Sequence, residues 1–415
     1  MLAKSFSLNL NHKIKPFTKS IKVDSDKSIS IRSFLIGSIC EDISVVKNVL
    51  ESDDVFSTIK CLQKLGVKIK KKSNIYFIHG KGLGSLYAKK NLNLNFGNSG
   101  TLARLLLGIL STTPEIEIKV KGDQSLNRRS MKKLIKLMSE FGAQFLPKNK
   151  FNFPLKLIST EMPVGIKYKA GVSAQLKSAV ILAGLNSFGT TLITEEKRSR
   201  DHTENMLKNN SQSITVEKNK KSLIKIYGKK FLNQIKIDVP GDPSSAAFFV
   251  ALTLLNKNSS LKIKNVGLNP TRIGFYELLK KHGANIKFSN KRKKNNEITG
   301  DINIKSGKLK RPIIASKNLY EKTTDEFPIL FCIAALTKGT SIFKGIGDLT
   351  NKESNRIKEM QKILKQIGVK SISAKNEMKI YGKSFVENKN KQIKVPNLGD
   401  HRICMSSTAL YRLCC

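Results

Sequence analysis

An amphipathic helical stretch, a glycine and a short extended run recur as a unit four times along this chain. They read IKCLQKLGVKIK around Gly66, LIKLMSEFGAQF around Gly142, FYELLKKHGANIKF around Gly283 and MQKILKQIGVKSI around Gly368. In each, apolar residues recur at helical spacing and the glycine stands where a helix C-cap needs a left-handed residue. The residues after it resume a β-like run. The glycines are about 76, 141 and 85 residues apart, and a weakened copy, Glu204–Val216, lies halfway along the middle gap with Asn and Ser replacing the glycine turn. A period of about 70–85 residues is too long for a solenoid and suits a repeated unit of two helices and several strands. The 415 residues suffice for two or three domains with real cores. A break is expected at Ile237–Ser245, where a strand ends, Pro-Gly-Asp-Pro turns the chain and a helix begins. The lysine-rich stretch Asn290–Asn296 reads as an exposed hairpin loop.

Charge is the unusual feature of composition: 75 Lys+Arg against 31 Asp+Glu, a net of +44. Such a balance first suggests nucleic acid or an acidic membrane. The excess, however, is lysine dispersed over the whole chain among Asn and Ile, a pattern of compositional bias and solvated faces that would still draw in small anions. Trp is absent and aromatics total 7%, so stacking platforms for bases are scarce; no nucleic-acid partner is expected. The longest apolar runs, Ala246–Leu255 and Phe327–Leu336, fall short of the roughly 18 residues that span a bilayer. The N-terminal stretch has no continuous apolar region of an export signal. Cys40, Cys61, Cys332, Cys404, Cys414 and Cys415 form no metal-binding spacing. Reduced thiols in a cytoplasmic monomer are expected.

Four helices are expected to begin alike, after a turn of small or acidic residues, at Ser25, Phe96, Ala170 and Pro240. Ser and Asp cap helices, and a helix N-terminus also receives phosphate or carboxylate. Arginine is scarce, and most of it falls in short polar blocks: Arg32, Arg128–Arg129, Arg198, Arg200, Arg272, Arg356 and Arg402. Its planar fork captures carboxylate and phosphate better than lysine does. Arg104, Arg198 and Arg412 read instead as surface residues or helix partners. Two blocks set acids among bases. Asp325 and Glu326 precede a buried helix, and Lys352, Glu353 and Arg356 lie at a helix start with Lys352 and Arg356 on one face. Such acids are ion pairs or, in an anion site, proton carriers.

These blocks resemble the 5-enolpyruvylshikimate-3-phosphate (EPSP) synthase family in order over about 380 residues: DKSISIRS, GNSGTLARLLLGIL, GDQSLNRRSM, SAQLKSAVILAGL, SRDHTENML, PGDPSSAAFF, NPTRIGFYELLKKHGA, DEFPIL, KESNR and DHRICM. GNSGT, SAQLKSA, SRDHTE and NPTR are similar to the class II bacterial branch. The resemblance implies an α+β fold of two lobes, each an inside-out assembly of three βαβαββ units with helices in the core, the last unit incomplete here. It implies one lobe from residues 1–25 and 238–415, another from 26–237, and an active site in the cleft between them. It implies transfer of the enolpyruvyl group of phosphoenolpyruvate (PEP) to the 5-hydroxyl of shikimate 3-phosphate, releasing phosphate, with no metal or organic cofactor.

By position, the resemblance implies that Lys27 touches both substrates. Ser28, Arg32, Ser173, Gln175, Arg200, Asp325 and Lys352 join it in holding shikimate 3-phosphate. Gly100, Arg129, Gln175, Arg356 and Arg402 join it at PEP. Asp325 is the candidate base and Glu353 the candidate proton donor, with Lys27 able to share that role. There are departures from the family pattern. Asp24–Ser25 replaces the usual Pro-Gly, Ser130 follows Arg129 in place of proline, and KESNR replaces KETDR. The chain ends at LYRLCC, about 25 residues before the family pattern does; a shortened form is expected. A truncated inactive relative and a polyanion-binding protein on the same fold remain the alternatives. The sister enzyme that acts on a sugar nucleotide would need a mobile-loop residue near position 120 that KGDQSLNRRS does not offer.

Overall fold

The computed structural model describes residues 14–219, 221–384, 393–395 and 399–414. Most of the N-terminal stretch read for an export signal lies outside the described residues, as does Cys415. The chain divides into two compact units. One takes residues up to Asp24, Gly241–Arg292 and the residues from Ile298 onward; the other takes Ser25–Pro240 and Lys293–Glu297. The lysine-rich hairpin turns at Asn295 and Asn296, both at positive φ.

The Ser25–Pro240 unit is built around three helices, Lys27–Ile39, Gly100–Ser111 and Ala174–Leu185. Each is apolar nearly all round, and a helix of that kind must be covered on every side. Ile29–Ile39 and Leu176–Leu185 are buried throughout. The Gly100 and Ala174 helices pack against each other at a distance that Gly108 permits, since a Cβ there would lie 2.6 Å from the carbonyl oxygen of Ala179. Three four-stranded sheets surround this helical centre. Lys236–Asp238 runs parallel to Ile43–Lys47, which is antiparallel to Ile75–His79, itself antiparallel to Lys68–Lys72. Asn93–Asn95, Glu117–Lys121, Leu155–Ile158 and Gln144–Leu146 repeat that order. So do Lys167–Ala170, Thr190–Glu195, Ser222–Tyr227 and Ile214–Lys218. Burial alternates along the inner strands, the mark of sheets with one covered face.

The other unit repeats the plan around the helices Pro243–Leu255, Phe327–Ala335 and His401–Cys414, which pack pairwise. Its first sheet runs Thr18–Ile21, Ser260–Gly267, Glu297–Lys305, Ile286–Lys294. Its second runs Ile314–Ala315, Gly339–Lys344, Glu377–Gly382, Ser371–Ala374. Helices inside and sheets outside make the two-lobed inside-out α/β fold; the described sheets remain open and none closes into a barrel.

The five sheets account for the five sequence copies. In each, a helix leads into the strand at the far edge of its sheet, and in the four full copies that helix is amphipathic. The four glycines adopt positive φ, from +69° at Gly368 to +105° at Gly142, which only glycine accepts without strain. In the weakened copy the helix His202–Leu207 reaches the strand Ile214–Lys218 through the turn 208–213.

Candidate active site

The three central helices of the Ser25–Pro240 unit each begin at a side-chain cap. Asp26, Ser99 and Ser173 accept from the amides of Ile29, Leu102 and Leu176 at 2.8, 3.2 and 3.4 Å. Each cap satisfies one of the otherwise unbonded amides of the first turn. Lys27, half-buried in the first turn of its helix, pairs with Asp54 at 3.1 Å. Gly100, Arg129 and Gln175 come together around the start of the Gly100 helix. A Cβ on Gly100 would lie 2.7 Å from Arg104 Nη1 and 3.4 Å from Arg129 Nη1. The missing side chain is the space two guanidinium groups use. Arg129 donates through Nη2 to Asn98 Oδ1 and, at 3.2 Å, to Ser125 Oγ. Gln175 accepts from Arg104 Nη1 at 3.0 Å and donates to Thr101 Oγ1 at 2.9 Å.

Arg104 is the residue that sequence reasoning passed over. Its bond to the Gly100 carbonyl at 2.9 Å is the helix partnership expected of it, but the same nitrogen also reaches Gln175. Its position four residues after Gly100 was the only local signal. Arg198 is exposed, as expected. Arg32 is buried, and its fork meets protein: Nε donates to Thr203 Oγ1 at 3.0 Å, Nη1 to the Ser28 carbonyl at 3.2 Å, and Nη2 to Ser178 Oγ at 3.2 Å. Arg200, half-buried, stands between the strand Thr190–Glu195 and the helix His202–Leu207. Beneath lies an ionic group no local pattern announced. Lys177 Nζ is 2.7 Å from Glu204 and 3.0 Å from Glu195. Burial opposes charge on Lys177, but Glu204 and Glu195 outweigh it and raise its pKa. Burial raises the pKa of the Glu204 carboxyl against the pull of Lys177.

In the other unit one guanidinium gathers the acids. Arg356 donates from Nη2 to Glu353 at 2.7 Å and from Nε to Asp400 at 3.0 Å, and its Nη1 lies 3.6 Å from Asp325. The guanidinium and Asp400 are sealed, whereas the Asp325 and Glu353 side chains are 24% and 27% exposed. Burial disfavours the charge on Arg356, but Glu353, Asp400 and Asp325 more than compensate and raise its pKa. Asp400 also accepts from Ser354 Oγ at 2.9 Å and from the Arg402 amide at 3.0 Å. Asp400 was absent from the sequence-based site, although it opens the block DHRICM. The Arg402 guanidinium lies 5.9 Å from the centre of the Phe248 ring.

Lys352 does not share a helix face with Arg356. The helix starts only at Arg356, because Asn355 caps it by accepting from the Lys358 amide at 3.1 Å. Lys352 instead pairs with Asp348 at 3.0 Å, and Asp348 accepts from Tyr320 Oη at 2.7 Å. Glu326, beside Asp325, is buried and accepts from Ser244 Oγ. Arg272 reaches that same Ser244 Oγ and Asp242, each at 3.1 Å.

Residues 11–411 match the family model for EPSP synthase (3-phosphoshikimate 1-carboxyvinyltransferase). The chain belongs to the EPSP synthase family. Its relatives within that family include the 3-phosphoshikimate 1-carboxyvinyltransferase of Zymomonas mobilis, 38% identical over 96% of this chain and 88% of the relative. That of Bacillus subtilis is 38% identical over 95% and 90%. The solved EPSP synthase of Acinetobacter baumannii superposes with a TM-score of 0.80 at 34% identity, covering 97% of this chain and 90% of that one. Family membership accounts for the shared helical starts and the inside-out units. Among the described residues, no group of three or more His, Cys, Asp or Glu is arranged to hold a metal ion, and no helix is long and apolar enough to cross a membrane.

Proposed function

We infer that this chain is a 3-phosphoshikimate 1-carboxyvinyltransferase of aromatic amino acid biosynthesis. It transfers the enolpyruvyl group of PEP to the 5-hydroxyl of shikimate 3-phosphate and releases phosphate. The observation that carries the reading is the Arg356 group, in which the family's DEF, KESNR and DHR blocks converge on one guanidinium. The matched relatives support transfer chemistry and lend no support to the polyanion-binding alternative.

Two anions must be held against their mutual repulsion, so cations and helix N-termini supply the binding. Ser28, Arg32, Ser173, Gln175, Arg200 and Lys352 hold shikimate 3-phosphate. Gly100, Arg129 and Gln175 receive the PEP phosphate, and Arg356 with Arg402 its carboxylate. Lys27 serves both. The 5-hydroxyl oxygen adds to C2 of PEP while Asp325 takes its proton. Glu353, with Lys27 able to share the task, delivers a proton to C3. Loss of phosphate from the tetrahedral adduct, with a proton returned from C3, gives the enol ether. Asp325 and Glu353 suit proton transfer because Arg356 orients both while each still reaches water. The protein is a cytoplasmic monomer with small anionic substrates and no nucleic-acid partner.

The test is phosphate release from PEP. It is expected to require shikimate 3-phosphate and to survive EDTA. Release that is independent of shikimate 3-phosphate, or that is lost with EDTA and restored by zinc or magnesium, overturns the reading.

A further inference from the structure

Lys177 is fully buried, and it occupies the helix that begins at Ser173, one turn beyond the cap. Its two carboxylate partners come from one downstream segment. Glu195 ends the strand Thr190–Glu195 and Glu204 lies in the helix His202–Leu207. Glu195 has a second task. Its Oε1 accepts from the Ser199 amide at 2.8 Å and from Ser199 Oγ at 2.6 Å. These bonds close the exposed excursion Glu196–Arg198, and the next residue after the closure is Arg200. Beside Lys177, Ser178 Oγ accepts from Thr203 Oγ1 at 2.8 Å, a second tie between the same helix and the same segment.

Apolar residues of similar volume commonly fill such a space as stably as a buried ion group does. What charge and hydrogen bonds add is direction, because each bond holds only over a narrow range of distance and angle. We propose that Lys177 is a positioning residue that, through Glu195 and Ser199, fixes the segment carrying Arg200 relative to Ser173 and Gln175. The consequence for catalysis rests on the reading of Arg200, Ser173 and Gln175 as the residues that hold shikimate 3-phosphate.

Three variants of the full chain test this. Glu195→Gln and Ser199→Ala weaken the closure itself. Glu204→Gln alters a partner of the same ammonium without touching Ser199. Hydrogen exchange at residues 199–201 in the substrate-free protein is expected to quicken about tenfold in Glu195→Gln and Ser199→Ala, the equivalent of one hydrogen bond, and to stay near wild type in Glu204→Gln. In the first two, KM for shikimate 3-phosphate should rise about tenfold, with kcat and KM for PEP little changed. Unchanged exchange in both, or equal acceleration in all three, overturns the proposal. If Glu195→Gln does not fold, Ser199→Ala decides alone. Quicker exchange with an unchanged KM would uphold the positioning of the segment and overturn instead the assignment of Arg200 to shikimate 3-phosphate.

Discussion

Lys177 and Arg356 each pair with several carboxylates, yet the two groups differ in access. Around Lys177 the ammonium and both carboxylates are at most 4% exposed. Around Arg356 the guanidinium and Asp400 are equally sealed, but Asp325 and Glu353 keep about a quarter of their side chains in reach of solvent. The cation chemistry fits the difference. An ammonium is a point charge that two carboxylates can enclose, whereas a guanidinium directs donors to separate partners and can hold some acids at the surface while anchoring another below. One group is sealed in every member; the other leaves two of its acids open to solvent.

The largest effect expected from this contrast is on turnover. Asp325→Asn should lower kcat by about 10²–10⁴ while the melting temperature moves little and calorimetry still detects shikimate 3-phosphate binding. If the variant instead loses stability and keeps its rate, the exposed carboxylates are structural and the contrast collapses.

Lys177→Met should do the reverse, removing about 3–5 kcal/mol of stability because two carboxylates are left buried without their cation. Adding Glu195→Gln and Glu204→Gln to it should recover much of that loss in denaturant titrations. An undiminished midpoint for the single variant would show that the buried group is not acting as an ion cluster.

Arg129→Lys and Arg402→Lys keep the charge and lose the fork. Each should lower kcat/KM for PEP about tenfold or more, on the scale of a lost charged hydrogen bond, leaving KM for shikimate 3-phosphate nearly unchanged. Wild-type kinetics in both would remove these residues from the PEP site.

The smallest effect separates the units by pH. His282 Nδ1 lies 2.8 Å from the Leu278 carbonyl and its Nε2 accepts from the Ile314 amide at 3.1 Å, a pattern only the neutral ring satisfies. Burial lowers its pKa from 6.5, helped by Arg311 and Lys281 against the bond to Leu278. Its stabilisation is therefore complete above about 6.5 and is lost as pH falls through the lower folded value. Glu204 has the opposite sign. Its raised pKa contributes stability that is full below the ordinary glutamate value and is lost as pH rises through the folded one. Acidification from pH 7 should therefore lower the protection of the Ile314 amide, its exchange rate taken relative to the intrinsic rate at each pH, and His282→Gln should remove that dependence. Exchange at the Ala174–Leu185 helix should not quicken through Glu204.

Much of the frame was legible along the chain. The glycine joints, the helix starts that Asp26, Ser99 and Ser173 cap, and the all-apolar helices could be read directly because they depend on residues within one or two turns of each other or on composition alone. Asn355 was equally local. Its side chain caps the helix at Arg356, so the expected helical face shared by Lys352 and Arg356 does not form.

The partners of the charged residues were not legible. Arg104 meets Gln175 across 71 residues, Arg32 meets Thr203 across 171, and Arg356 meets Asp400 across 44. Periodicity tells which face of a helix is covered, but not which other segment covers it. The sequence by itself determined a repeated α/β unit with apolar helices and side-chain-capped helix starts. The tertiary structure decided which carboxylate sits beside which cation, and how much water each retains, because those distances follow from how helices distant in sequence pack.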